Sequence, residues 1–456
     1  MPQLRLEWET GFRHSSFYPH FLMKQTLISV FTISVFTSLF FAMPVFAQEP
    51  EQWSRLRGPN GQGISTATGL PTQWSDTENI AWKTPIPGEG WSSPVIWNDH
   101  IFLTSATDGG KECRVIAINR KDGEVLWNKP VFTQELKMQH DRNSRATPTP
   151  VTDGQRVYAV FANGWFVALD FEGNVVWENK DLDFYSQHGF GASPIIYDDL
   201  LITAINPSVN PNNNPNNEPV RLGWQLPWDR SYLLALDKNT GKERWRGNRG
   251  MSRISHSTPV VIQVDGKDQI LSMAGDVIQG FEPATGELAW TVKNSGEPAV
   301  PIPAIGEGMV YMCPSPGSPI LGIRIGGKGD VTDTHVVWRL SQHFPITSSF
   351  LYVKPCLYVA TDRSNFVALD AATGEILWER RLQGRLDSSP IYADGKIYVT
   401  AHDGTTTVLK PNVDPKVPAE IIATNELGET TVQATFAIAG KQIFIRTSKE
   451  LLCIGK

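Results

Sequence analysis

From residue 79 onward, short apolar runs alternate with polar turns, with side chains alternating at every second position as half-buried strands require. One eleven-residue phrase, small-x-acidic-x-x-Thr-Gly-x-x-x-Trp, recurs. It spans Ala235-Leu236-Asp237 through Thr240-Gly241 to Trp245, and again Ala368-Leu369-Asp370 through Thr373-Gly374 to Trp378. Gly280 to Trp290 carries it with Glu282, and Ala117 to Trp127 with Asn119 and Asp122-Gly123. Ala168 to Trp177 holds a copy one residue shorter, a degenerate copy ends at Trp338, and Asn79-Ile80-Ala81-Trp82 is its last strand alone. Each copy predicts strand, turn, strand: the Asp side chain bonds the turn backbone and the Gly supplies a positive φ.

A second phrase lies upstream of each Trp, a Ser/Thr-Pro followed by an apolar run and an Asp/Gly turn. It begins at Ser93-Pro94, Thr149-Pro150, Ser193-Pro194, Thr258-Pro259, Ile302-Pro303 and Ser389-Pro390, with Ser348-Ser349-Phe350 and Ala434-Thr435-Phe436 in equivalent places. These starts predict eight units of four strands, at about 40 to 50 residues per unit, which is the period of propeller blades. The last unit, Thr435 to Lys456, has room for only three strands, and Asn79 to Thr84 supplies the fourth. The expected fold is therefore all-β: an eight-bladed β-propeller of four-stranded antiparallel blades over 78–456, closed by pairing of its N- and C-terminal strands. A leader over 48–77 packs on the ring.

The first 47 residues stand apart. Thr26 to Phe46 is free of charge, follows Lys24 and ends in Val45-Phe46-Ala47, the pattern of a secretory signal peptide cleaved after Ala47. An uncleaved membrane anchor is the competing reading, because the stretch approaches the length of a span. Met23-Lys24-Gln25 has the form of a signal's start, which makes Met23 a candidate initiator. No Cys follows the apolar run, so no lipid anchor is expected. Cleavage would leave no transmembrane segment and a periplasmic or secreted protein.

The phrases ending in Trp resemble the tryptophan-docking repeats of the quinoprotein (PQQ-type) eight-bladed propellers, over essentially Trp74 to Lys456. The resemblance implies an all-β ring in which these indoles are structural. It also raises PQQ-dependent alcohol oxidation, for which the related dehydrogenases use adjacent cysteines near the quinone, a calcium site from Glu, Asn and Asp, and an Asp base. Here Cys113, Cys313, Cys356 and Cys453 lie far apart, so neither that pair nor a zinc knuckle or disulfide framework is present in the sequence. A phosphate-loop match at Gly322 to Lys328 ends in Gly329 and leads into a strand, so it reads as a hairpin turn. Hydrolase elbows and zinc-protease motifs are missing.

Charge narrows the partners. With 41 Lys+Arg against 47 Asp+Glu the net charge is -6, which disfavours a nucleic-acid partner. Strand parity places long connections on one face: Phe132 to Thr147, Asp181 to Gly191, and an insertion from Asn206 to Arg230. Residues just ahead of the Ser/Thr-Pro phrases should ring the channel mouth there, namely Trp91, Arg145, His188, His256 and Asp387, with His140, Arg142 and Asn143 beside Arg145. Such a mouth fits a small polar ligand; the plainer reading is a set of solvated loop residues. The Asn- and Pro-rich Pro207 to Pro219 reads as low-complexity loop, and Trp224 and Trp228 beyond it either stack on a ligand or anchor the loop. The expected function is an exported, non-catalytic scaffold binding an envelope protein or small polar ligand without a cofactor. The rival is an oxidoreductase using PQQ with calcium.

Overall fold

The computed structural model describes residues 52–137, 139–140, 143–296, 300–314 and 317–455. The proposed signal peptide, its cleavage site and Arg142 lie outside the described residues. Among them, no helix is long and apolar enough to cross a membrane.

Eight antiparallel sheets form a ring of blades. Blade 1 comprises Val95–Trp97, His100–Thr107, Glu112–Asn119 and Val125–Thr133, counted from the axis outward. Blades 2 to 7 follow over 151–179, 195–248, 260–293, 304–340, 351–381 and 391–425. Blade 8 takes three strands from the C-terminus and its outermost from Ile80–Pro85, which pairs antiparallel with Glu450–Ile454. The ring closes in the way the missing fourth strand of the last unit requires. Two blades gain a fifth strand. Gln52–Trp53 joins the inside of blade 1, and Gly329–Asp330 joins the outer edge of blade 4 in parallel. Gly329–Asp330 leads into a single helical turn at Thr332–His335, where the sequence suggested strand directly.

The apolar core lies between blades, since the second and third strands bury both faces against their neighbours. The Trp phrase fastens the outer part of five junctions. Indole Nε1 of Trp82, Trp127, Trp177, Trp245 and Trp338 donates to the carbonyl of Arg120, Phe171, Lys238, Pro283 and Ala371, at 2.7 to 3.0 Å. Each acceptor is the residue after the acidic or amide position in the next blade's phrase. The phrase's glycine is required there: Gly241 has φ +70, and a Cβ on it would lie 2.4 Å from Trp177 Cε3.

Nearer the axis, the Ser/Thr-Pro phrases form a hydrogen-bonded belt. The backbone N–H of Ser93 donates to Thr149 Oγ1, that of Thr149 to Ser193 Oγ, and that of Ser193 to Thr258 Oγ1, each 2.9 Å. The same link runs from Ile302 to Ser349, Ser349 to Ser389 and Ser389 to Thr435. Ile302 has no hydroxyl, and at that junction Ser257 Oγ donates to Pro301 O at 2.9 Å instead. Where blade 8 meets blade 1, the buried Arg446 guanidinium donates to Ser92 O and Oγ.

The leader braces the ring from inside. Ser54 O accepts from Thr152 N of blade 2, Gln62 Oε1 from Ile305 N of blade 5, and Gly63 O from Tyr392 N of blade 7. Arg57, only 1% exposed, donates to Phe350 O of blade 6 at 2.7 Å and to Pro390 O of blade 7. Contacts with inner strands on opposite sides of the ring put this segment on the axis. Burial without a carboxylate pushes the Arg57 pKa down to about 9. Its protons are instead held by main-chain carbonyls.

Candidate functional site

The belt fixes where the mouth residues stand, because Ser93, Thr149, Ser193 and Thr258 sit side by side and the candidates lie just ahead of them. Trp91, Arg145, His188 and His256 therefore occupy the starts of blades 1 to 4. Trp91 N donates to Ala146 O at 3.2 Å. Arg145 Nη1 donates to Gln139 Oε1 at 2.8 Å, and Arg145 N to Glu89 Oε1 at 3.1 Å. Burial lowers the Arg145 pKa, opposed by Glu89.

His188 is the hub of an aromatic cluster. Its ring centre is 5.3 Å from His140, 5.7 Å from His256 and 6.1 Å from Trp224 of the insertion. Asn143 Nδ2 donates to its backbone carbonyl at 2.6 Å. Gly191 makes room for His256, since a Cβ there would lie 2.8 Å from His256 Nδ1. His256 Nε2 is buried without a hydrogen-bond partner, and burial, reinforced by His188, pushes the His256 pKa down to about 3. At neutral pH this imidazole is uncharged.

Asp387 stands across the ring, at the start of blade 7, in a cluster of its own. Its Oδ2 accepts from Arg385 Nη2 at 2.6 Å and Nε at 3.0 Å, and lies 2.7 Å from His402 Nδ1. Asp362 shares this environment: burial raises its pKa, and the Asp387 carboxylate adds to the rise. The structure thus joins His188 to His256, sets Arg145 and Trp91 on the adjoining blades, and separates Asp387 from them. Arg385, His402 and Asp362 were missed by reading only strand starts. Asp362 and His402 follow the second strands of blades 6 and 7, whose turns open on the same face by strand parity.

The insertion uses its two tryptophans differently. Trp224 faces His188, whereas Trp228 is 6% exposed and its backbone pairs with Ser252. Trp228 is the anchor.

Three segments, 60–186, 228–329 and 327–413, match the family described as outer membrane protein assembly factor BamB. The chain belongs to that family. A crystal structure of BamB from Moraxella catarrhalis superimposes with a TM-score of 0.52 at 14% identity, over 82% of this chain and 99% of that one. In sequence the chain is similar to an uncharacterized protein of Rickettsia prowazekii, 29% identical over 30% of this chain and 32% of that protein. It is also similar to a tetrathionate hydrolase of Acidithiobacillus ferrooxidans, 25% identical over 38% of this chain and 37% of that enzyme. The chain thus spans about a third of the length of these curated relatives.

In this BamB-family ring, a quinone with calcium would call for a clustered ligand set and a cysteine pair at the mouth. No group of three or more His, Cys, Asp or Glu that could hold a metal occurs among the described residues. The four cysteines are buried singly in blades 1, 5, 6 and 8, and burial raises the thiols of Cys113 and Cys453 to about 12. No cysteine pair stands at the mouth.

Proposed function

We propose that this BamB-family chain is an exported, non-catalytic scaffold of the bacterial cell envelope, periplasmic or secreted, which uses the mouth of its ring to hold a protein partner or a small polar ligand. The axis carries this reading. Trp53, Arg57 and Gln62 bind inner strands of blades 1, 5, 6 and 7, so the chain's own leader braces the centre of the ring. What stays open is a rim of two unlike patches. One is aromatic and imidazole-rich around His188, and the other is an ionic cluster around Asp387. A rim of polar anchors with little internal chemistry suits recognition better than turnover.

The test is capture from a solubilised envelope fraction with the tagged full chain and with Arg145→Ala. The reading expects a specific partner or small molecule retained by the wild type and weakened by Arg145→Ala, at nearly unchanged melting temperature. Quinone absorbance and dye-linked alcohol oxidation on adding PQQ and calcium would overturn it and favour the rival oxidoreductase.

A further inference from the structure

Apart from the mouth, the insertion over 206–230 closes against the outer half of blade 3 around a cavity of about 560 Å³. That is within the range of small-molecule sites. The loop is held in place on the cavity side. Ser208 N donates to Tyr185 O at 2.9 Å, Gln187 N to Ser208 Oγ at 3.0 Å, and Asn214 both donates to and accepts from the Glu218 backbone.

The lining decides what could enter. Its charges are already matched: Arg230 pairs with Glu218 at 2.7 Å, Arg246 with Glu243 at 2.7 Å, and Asp183 with Lys137 at 2.7 Å. Asp229 adds a negative charge, so no basic excess remains to recognise an anion. Three aromatic residues border it. Tyr185, Tyr232 and Trp228 line the cavity, with the Arg230 guanidinium 5.0 Å from the Trp228 ring and that of Arg246 4.8 Å from Tyr232. The remaining polar groups are largely amides, including Asn213 and Asn216, which are exposed on the loop. Amides that both donate and accept, beside neutralised charges, complement the vicinal hydroxyls of an uncharged sugar.

We propose that this cavity binds an uncharged oligosaccharide. Isothermal titration of the full chain with maltotetraose, cellotetraose and chitotetraose should reveal binding of at least one, insensitive to added salt. The double substitution Asn213→Ala/Asn216→Ala, in exposed loop positions, should weaken that binding by at least about tenfold with an unchanged melting temperature. Arg145→Ala at the mouth should leave it intact, which separates this site from the scaffold reading. The proposal is overturned if none of the three binds, if only a sulfated tetrasaccharide binds, or if affinity survives the double substitution.

Discussion

Five junctions between blades and two others start from the same phrase and end differently. Trp82, Trp127, Trp177, Trp245 and Trp338 reach across to a carbonyl of the next blade. Trp290 turns back to Gln269 Oε1 of its own blade at 2.8 Å, and Trp378 is buried against Tyr358 and Phe366, also in its own blade. The difference lies in what faces them. Beyond Trp290 stands the Arg324 to Gly329 turn, and beyond Trp378 the segment from Lys410 to Glu420; neither carries the acidic-x-x-Thr-Gly turn. The docking signature therefore belongs to a junction rather than to a blade, with the indole on one side and the acceptor turn on the other.

The severest way to break a junction is to delete residues 48 to 84. This removes Trp82, the closing strand and the axial leader together, and it bares the edge of Glu450–Ile454. The product should aggregate; a soluble truncation with the wild-type melting curve would contradict the closure. Next in size, Trp177→Ala should cost about 3 to 5 kcal/mol as a buried large-to-small change, read by denaturant unfolding. A loss below about 1 kcal/mol would mean that the indole does not hold blades 2 and 3 together.

Acid should probe the junction of blades 3 and 4, where His188 and His256 meet. His256 has a folded pKa near 3, well below its unfolded value of about 6.5, so the unfolded chain binds the extra proton. The stability this imidazole contributes is full above about pH 6.5 and is lost as pH falls toward 3, by roughly 1 to 2 kcal/mol at pH 5. The acid limb of the wild-type stability curve should flatten in His256→Asn; identical limbs would refute the assignment. The smallest effect separates the two classes of junction directly. Trp177→Phe loses an interblade hydrogen bond and Trp378→Phe loses none, so the first should be costlier by about 1 kcal/mol. Equal losses would make the N–H contact irrelevant.

The ring was readable because its devices are local and repeated. Asp237, Gly241 and Trp245 fall within one phrase, and counting phrases revealed the orphan strand at Trp82. The belt was half legible: Thr149, Ser193 and Thr258 marked strand starts, but their hydroxyls act between blades, across contacts of more than forty residues that a repeat shows only as recurrence. The leader was legible as a segment and not as an axial plug, because Arg57 and Gln62 sit in a stretch without periodicity and their partners are backbone carbonyls and amides that no side-chain pattern announces. At the mouth, His188 and His256 could be placed from strand starts. His402 and Asp362 come from turns between second and third strands, and identifying them required applying the same parity to the other set of loops.

The axial leader also governs how the molecule resists force. A pull on residue 52 first strains the Gln52–Trp53 pairing, then the Arg57 bonds, then the Gly63 to Ser65 ladder, across blades 1, 6 and 7. Releasing this segment from a tethered ring therefore demands that several blades yield in turn.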